Sequence, residues 1–342
     1  MKYEETDFDP RILVVGCGSI GQRHARVLQA IGAPNLAVCD PAQGPRQAVQ
    51  HALGIEEGYA DFEEALQHGF EAVFICSPPA FHVPQARLAI EAGCDVFTEK
   101  PLSDRLAGVN ELIALADKEE RLLMVGLCMR YHQGLLRVKQ LIDEGAIGRL
   151  VSVRAMVGVY LPNLRPGVDY RQVYIAQPGG GVTLDYLHEI DFVQWIVNAP
   201  VGQVFAFSGQ LSEVEMQADD TAEILLKFDN NVLASIHLDL FQRTKRRQSE
   251  FMGTDGTIII DLADWSQSTI QIYRAEHGQW ETETVSMERD DLFQAEDRAF
   301  LRCVATREKA PLDGRIGKSS LQIALAAIAS SEQEKLIQLE EG

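Results

Sequence analysis

Three groups of residues have the types and spacing that chemistry requires. Gly16, Gly18 and Gly21, within RILVVGCGSIGQRH, stand in G-x-G-x-x-G register between an apolar run and an amphipathic one, and Asp40 ends the next apolar run. Glycines so placed permit a tight turn, let backbone N–H groups approach a pyrophosphate and let the helix close on its strand. The phosphates then face the positive end of that helix. An aspartate at position 40 accepts hydrogen bonds from an adenosine ribose and repels a 2′-phosphate, so NAD is expected over NADP. Arg46 is the one nearby feature that argues the reverse. The second group is Thr98-Glu99-Lys100-Pro101-Leu102, just after another apolar run. Ligands of open α/β sheets lie at the carboxyl ends of the strands, which is where Lys100 falls. The third is GGGVTLDYLHEIDFVQWI, residues 179–196, read as a glycine run opening one helix with Asp185 and His188 three apart on a shared face.

Together these residues fit hydride exchange between a nicotinamide and a secondary alcohol. That reaction needs a base within hydrogen-bond reach of the hydroxyl. His188 suits it, because an imidazole titrates near neutrality and serves both directions. Lys100 acts as the base when desolvation favours its neutral form, or polarises the oxygen when charged. Asp185 orients the histidine or holds a substrate hydroxyl. The remaining cofactor contacts are expected from Ser19, Ile20, Ser77, Pro78, His82 and Glu99. Tyr160, Arg165, Tyr170 and Arg171, in a long loop after a strand, are candidates for lining a sugar site together with Arg130; a subunit contact is the alternative. Asp191 reads as an ordinary helix residue paired with a neighbour. The run Gln242–Arg247, QRTKRR, reads as a charged strand edge that discourages strand addition. No spacing of His, Cys or carboxylates suits a metal, so none is expected.

The elements that must position these groups follow a simple order. Continuous apolar runs at Ile12–Val15, Leu36–Cys39, Ala72–Cys76, Asp95–Thr98 and Leu122–Val125 alternate with amphipathic stretches at Ile20–Ala30, Pro45–Leu53, Phe62–His68, Val83–Ala92 and Leu106–Glu119. Such alternation predicts a doubly wound parallel sheet buried on both faces. After a helix at Leu135–Glu144, longer strands joined by hairpin-length turns predict a largely antiparallel open sheet covered on one face by helices at Val182–Val197, Leu292–Ala305 and Lys318–Gln338. The fold class is α/β, with residues 1–125 as a dinucleotide domain. Residues 126–342 form an α+β domain for substrate and oligomerisation, whose C-terminal helix packs at the domain junction.

Composition narrows the partners. The 342 residues carry 31 Lys+Arg against 50 Asp+Glu, a net charge of −19, which excludes a global footprint for nucleic acid or an anionic membrane. Within that excess, residues 130–171 hold seven basic and three acidic side chains, so the positive field for an anionic ligand is expected there. The start, MKYEETDFDP, has no basic stretch leading into an apolar one, and no secretory signal is expected. Six cysteines without a C-x-x-C pair read as buried thiols of a cytoplasmic protein.

With these motifs in hand, the chain resembles the Gfo/Idh/MocA oxidoreductases, the inositol dehydrogenase-like and glucose–fructose oxidoreductase-like family, over essentially its whole length. The resemblance rests on the glycine fingerprint followed by His24, the Glu99-Lys100-Pro101 tripeptide, Arg130-Tyr131-His132, and the glycine-rich helix with Asp185, His188 and Asp191. It implies an N-terminal Rossmann domain, a cis Lys100–Pro101 bond, Lys100 as the catalytic lysine, Asp185 and His188 as the catalytic pair, and a homodimer or homotetramer. Three departures stand out. Many members separate the aspartate and histidine by four residues, and Cys128 and Gln133 replace a frequent asparagine and proline. YLPNLRPGVDYRQVY and DYLHEID are similar to a branch associated with bacterial surface sugars, including sialic-type sugars. The function implied is NAD-dependent oxidation or reduction of a sugar, polyol or uronate. The alternatives are a non-catalytic NAD-bound metabolite sensor and a reductase of a non-sugar ring.

Overall fold

The computed structural model describes residues 9–164, 169–171 and 181–339. They form two compact units, one made of the described residues up to 128 together with 290–319, the other of the described residues within 129–289 together with 320–339.

The first unit is built on six parallel strands: β1 (Ile12–Val15), β2 (Leu36–Cys39), β3 (Glu57–Tyr59), β4 (Ala72–Ile75), β5 (Asp95–Glu99) and β6 (Leu123–Gly126). Their order is β3-β2-β1-β4-β5-β6. The chain leaves in opposite directions from the neighbours β1 and β4, so a crevice opens beyond their carboxyl ends. β1, β2 and β4 are buried along their whole length, as their unbroken apolar runs require. The short edge strand β3, with the sequence EGY, has no apolar signature and escapes a reading by pattern.

The helix α1 (Ser19–Ala30) follows β1, and α2 (His82–Glu91) precedes β5. A late segment completes this unit. The helix Asp291–Thr306 carries Phe300 into a buried aromatic cluster, its ring 5.3 Å from Phe74 and 5.7 Å from Phe97. Leu312 accepts the backbone N–H of Val125 at 2.8 Å. The first of the two units runs to residue 128 and takes in residues 290–319. Helical periodicity reveals that a helix has an apolar face and says nothing about which sheet receives it.

The second unit is a nine-stranded sheet of β7 (Leu150–Tyr160), β8 (Val201–Gly209), β9 (Thr221–Phe228), β10 (Leu233–Asp239), β11 (Phe241–Gly253), β12 (Gly256–Asp261), β13 (Gln267–Arg274), β14 (Gln279–Ser286) and β15 (Ile337–Gln338). The order is β14-β13-β12-β11-β7-β10-β9-β8-β15, and every pairing is antiparallel except β7 with β10. Val153, Ala155, Val157 and Val159 of β7 are buried against helices, whereas Phe207, Leu225 and Leu233 stand on exposed sheet surface. The basic run 242–247 belongs to β11 itself, and β14 and β15 are strands that pattern reading missed.

Replacing Phe300 by alanine empties the aromatic cluster of the first unit. The expected loss is about 3–5 kcal/mol in urea unfolding. Hydrogen-exchange protection of β4 and β5 should fall with it. Unchanged protection there would remove residues 290–319 from this unit.

Candidate functional site

In the first unit the glycine loop is fixed by close contacts. Gly16 has φ +91°, and a Cβ there would lie 2.8 Å from the Cys76 carbonyl and the Ser77 nitrogen. A Cβ on Gly21 would lie 1.8 Å from the Gly16 oxygen. The loop thus presses against the end of β4, and any larger residue would push α1 off its strand. Ser19 and Ile20 open α1, whose first-turn N–H groups lie outside the helix's own ladder. This cradle fits a dinucleotide pyrophosphate. Asp40 accepts the N–H of Cys17 and of Ala42, each at 2.8 Å, so its carboxylate braces the loop; a carboxylate retains lone pairs for ribose hydroxyls. The Arg46 guanidinium reaches the backbone carbonyl of Asp40. Ser77 donates its hydroxyl to Gln85 at 2.6 Å, and Pro78 follows it into the turn before α2.

Two expected cofactor contacts have other partners. The His82 ring is buried and bridges the Ser77 and Pro101 carbonyls at 2.7 and 2.8 Å, bolting the loop after β4 to the Lys100–Pro101 turn. Burial lowers its pKa, against the pull of both carbonyls. The Lys100–Pro101 bond is cis. Glu99, also buried, turns inward: Oε1 meets His24 Nε2 at 3.0 Å and Oε2 accepts the Lys100 N–H at 2.9 Å. The other His24 nitrogen meets Asp297 at 2.9 Å. An imidazole in the core between two carboxylates joins α1, the end of β5 and the helix Asp291–Thr306. Burial opposes its charge, but the two carboxylates prevail and raise its pKa to about 10. Glu99 is correspondingly lowered by His24, despite its own burial. Nothing in sequence pointed to Asp297, which lies 273 residues from His24.

In the second unit the expected helix Val182–Val197 is two helices, Val182–Asp185 and Leu187–Val197. They break at Tyr186 (φ −102°, ψ 31°), so Asp185 ends one and His188 lies in the first turn of the next. The shared helix face predicted for the pair does not exist; both side chains are half-buried. The first short helix is anchored by Asp219. Its carboxylate accepts the Thr183 N–H and hydroxyl and lies 2.0 Å from where a Gly181 Cβ would be, which makes glycine necessary at φ +145°. The second helix is anchored by buried charge. Arg130 makes a two-point ion pair with Asp191 at 2.7 and 2.9 Å, and Ser320 donates to the same carboxylate at 2.7 Å. Arg130, a candidate substrate contact, thus braces the helix with a charge already neutralised, and Asp191, read as an ordinary helix residue paired with a neighbour, is instead buried against an arginine 61 residues away. Glu189, next to His188, holds Arg247 at 2.6 Å.

The other loop candidates separate. Tyr160 ends β7 with the Arg243 guanidinium 3.8 Å above its ring. Tyr170 accepts the Glu215 N–H at 3.3 Å, and Arg171 pairs with Asp169 at 2.9 Å. Arg165, like the glycines at 179 and 180, lies outside the described residues. Among the described residues, no cluster of His, Cys, Asp and Glu could hold a metal.

Comparison with known proteins agrees with this architecture. The family model for Gfo/Idh/MocA oxidoreductases with an NAD-binding Rossmann fold matches residues 10–127, and that for the Gfo/Idh/MocA C-terminal domain matches residues 135–259. The chain is 29% identical to a myo-inositol 2-dehydrogenase of Thermotoga maritima, over 97% of this chain and 99% of that protein. It is 24% identical to an NADP-dependent D-xylose 1-dehydrogenase of Haloarcula marismortui, over 86% and 81%. A crystal structure of scyllo-inositol dehydrogenase from Lactobacillus casei with bound NAD(H) and scyllo-inositol superposes with a TM-score of 0.81 at 21% identity, covering 97% of this chain and 99% of that one.

The His24 cluster has a pH signature. Because its folded pKa is raised from 6.5 to about 10, its contribution to stability is complete below about pH 6.5 and is lost as pH rises through about 10. Calorimetric melting between pH 7 and 10 should therefore fall more steeply for the wild type than for a His24→Gln, Asp297→Asn double variant. Parallel curves would mean that His24 is not charged in the fold.

Proposed function

The chain belongs to the Gfo/Idh/MocA oxidoreductases, NAD(P)-dependent dehydrogenases of CH–OH groups, and on that premise we propose a sugar or polyol dehydrogenase that uses NAD, with Lys100 and His188 managing the proton of the reacting hydroxyl. The observation that carries this reading is the anchoring of Lys100. Its backbone N–H is held by Glu99, and Glu99 is held by the buried His24–Asp297 pair. A solvated loop lysine has no use for such support. A sensor of the same fold needs neither a proton acceptor nor a cation at the reacting oxygen, and both residue types are present here.

Gly16, Gly18, Gly21 and the first turn of α1 would hold the pyrophosphate, and Asp40 the adenosine ribose. NAD, when bound, supplies the hydride acceptor. His188 takes the hydroxyl proton and returns it in the reverse direction, and Asp185 holds a neighbouring substrate hydroxyl. Lys100 steadies charge developing on the oxygen. The substrate class is a ring polyol, sugar or uronate, with the surface-sugar branch as the finer reading. The six thiols are all buried and none is joined in a disulfide, as suits a reducing cytoplasm.

One kinetic experiment tests the chemistry. The purified protein is mixed with NAD or NADP and a panel of inositols, aldoses, uronates and nonulosonates, and nicotinamide absorbance is followed. NAD should give the higher kcat/KM, and Asp40→Ala should narrow the gap. Lys100→Met should lower kcat by about a thousandfold or more while leaving the NAD Kd nearly unchanged. Tight NAD binding with no turnover on any member of the panel would favour the sensor.

Assembly is a second consequence. Phe207, Leu225 and Leu233 expose apolar surface on the open sheet, which supports a homodimer or homotetramer built through it. Light scattering should report two or four chains, and Leu225→Glu with Leu233→Glu should give monomers. A monomeric wild type would refute this assembly.

A further inference from the structure

The run Gln242–Arg247 is more than a charged edge. Between the pairs Phe241–Tyr160 and Arg246–Gly158, β11 advances five residues while β7 advances two. This bulge of three extra residues lifts Arg243 and Lys245 out of the regular ladder, which is how sheets re-aim side chains beside functional sites. Arg243 lies 3.8 Å over the ring of Tyr160. Around Trp265, in the turn between β12 and β13, three cations gather: Lys245 at 5.7 Å, Arg247 at 5.4 Å and Arg289 at 5.3 Å from the ring centroid.

Among the described residues, Arg247 alone in this group has a carboxylate ion-pair partner, the Glu189 beside His188. Among the described residues, Arg243, Lys245 and Arg289 form no ion pair, although acidic side chains outnumber basic ones in the whole chain by 50 to 31. Lys245 registers the crowding. Its pKa is lowered by burial and then by Arg247 and Arg289, with Asp264 and Asp261 pulling weakly the other way. Like charges held this close repel one another; an anion relieves that repulsion, and one carrying several negative oxygens suits guanidinium and ammonium groups best.

We infer that Arg243, Lys245 and Arg289, set around Tyr160 and Trp265, form a subsite for a phosphate or diphosphate group. The subsite is continuous, through Arg247 and Glu189, with the helix that carries His188. Its link to catalysis rests on the dehydrogenase reading above; its capacity to bind the anion does not. The group is either an ester on the sugar being oxidised or free phosphate.

The test is a calorimetric titration of the full chain with inorganic pyrophosphate in the presence of saturating NAD, so that the glycine loop is already filled. One pyrophosphate per chain should bind and change the fluorescence of Trp265. Both signals should weaken about tenfold or more in Lys245→Gln, Arg289→Gln, two side chains that reach the surface and make no ion pair among the described residues, while the melting temperature stays unchanged. A Trp265→Phe variant that still binds but loses the optical change locates the event. A glucose phosphate that binds more tightly than orthophosphate assigns the group to the substrate, and equal affinity assigns it to free phosphate. Absence of saturable binding, or binding indifferent to the double variant, overturns the subsite. Because none of these readouts needs turnover, an inactive protein that binds pyrophosphate refutes the dehydrogenase reading alone.

Discussion

A buried imidazole held between two carboxyl groups is the constraint from which the first unit takes its shape. His24 projects from the helix that opens on the glycine loop, Glu99 from the end of β5, and Asp297 from a segment nearly two hundred residues later in the chain. Buried ions tolerate little displacement, because a shift of an ångström leaves a charge without its partner in a medium that does not solvate it. The loop that would carry a pyrophosphate and the backbone nitrogen of Lys100 are consequently fixed to one framework. His82 adds a second tie, between the loop after β4 and the Lys100–Pro101 turn.

The second unit uses buried charge in a similar way. The helix bearing His188 is gripped by Arg130 through Asp191 and by Arg247 through Glu189, while the short helix before it hangs from Asp219. These pairs are expensive to desolvate and contribute less to stability than an apolar core of equal volume could. Their effect is directional. They set the rotation of a helix whose catalytic candidate is a single half-buried side chain, where rotation about the helix axis decides what the imidazole can reach.

How much of this is legible in sequence depends on the range of the interaction. The β–α alternation, the glycine register and the lysine at a strand end are local patterns, and the strands Ile12–Val15 and Leu36–Cys39 begin and end where pattern reading puts them. What escapes is decided at a distance. The edge strand at Glu57–Tyr59 is formed by its neighbour and not by apolar residues of its own. Glu99 and His82 stand beside cofactor motifs, yet the core recruits both. Asp185 and His188 are three residues apart, but a backbone break at Tyr186 puts them in separate helices, and no side-chain periodicity records a single non-helical φ/ψ pair. The C-terminal segment shows its apolar face plainly without showing which sheet it completes.

Charge illustrates the same limit more sharply. The stretch 130–171 is rich in basic residues, and by count the positive field belongs there. In the fold, Arg130, Arg137, Lys139, Arg154 and Arg171 each meet a carboxylate, most of them contributed from elsewhere in the chain. The field an approaching ligand meets comes from the cations that remain uncompensated, and three of these, Arg243, Lys245 and Arg289, stand against the aromatic rings of Tyr160 and Trp265. Net charge and local composition thus constrain what a protein repels over a Debye length, whereas pairing geometry decides what it attracts at contact. In an acidic protein the second is the more informative, because every unpaired cation has remained so amid an excess of available partners.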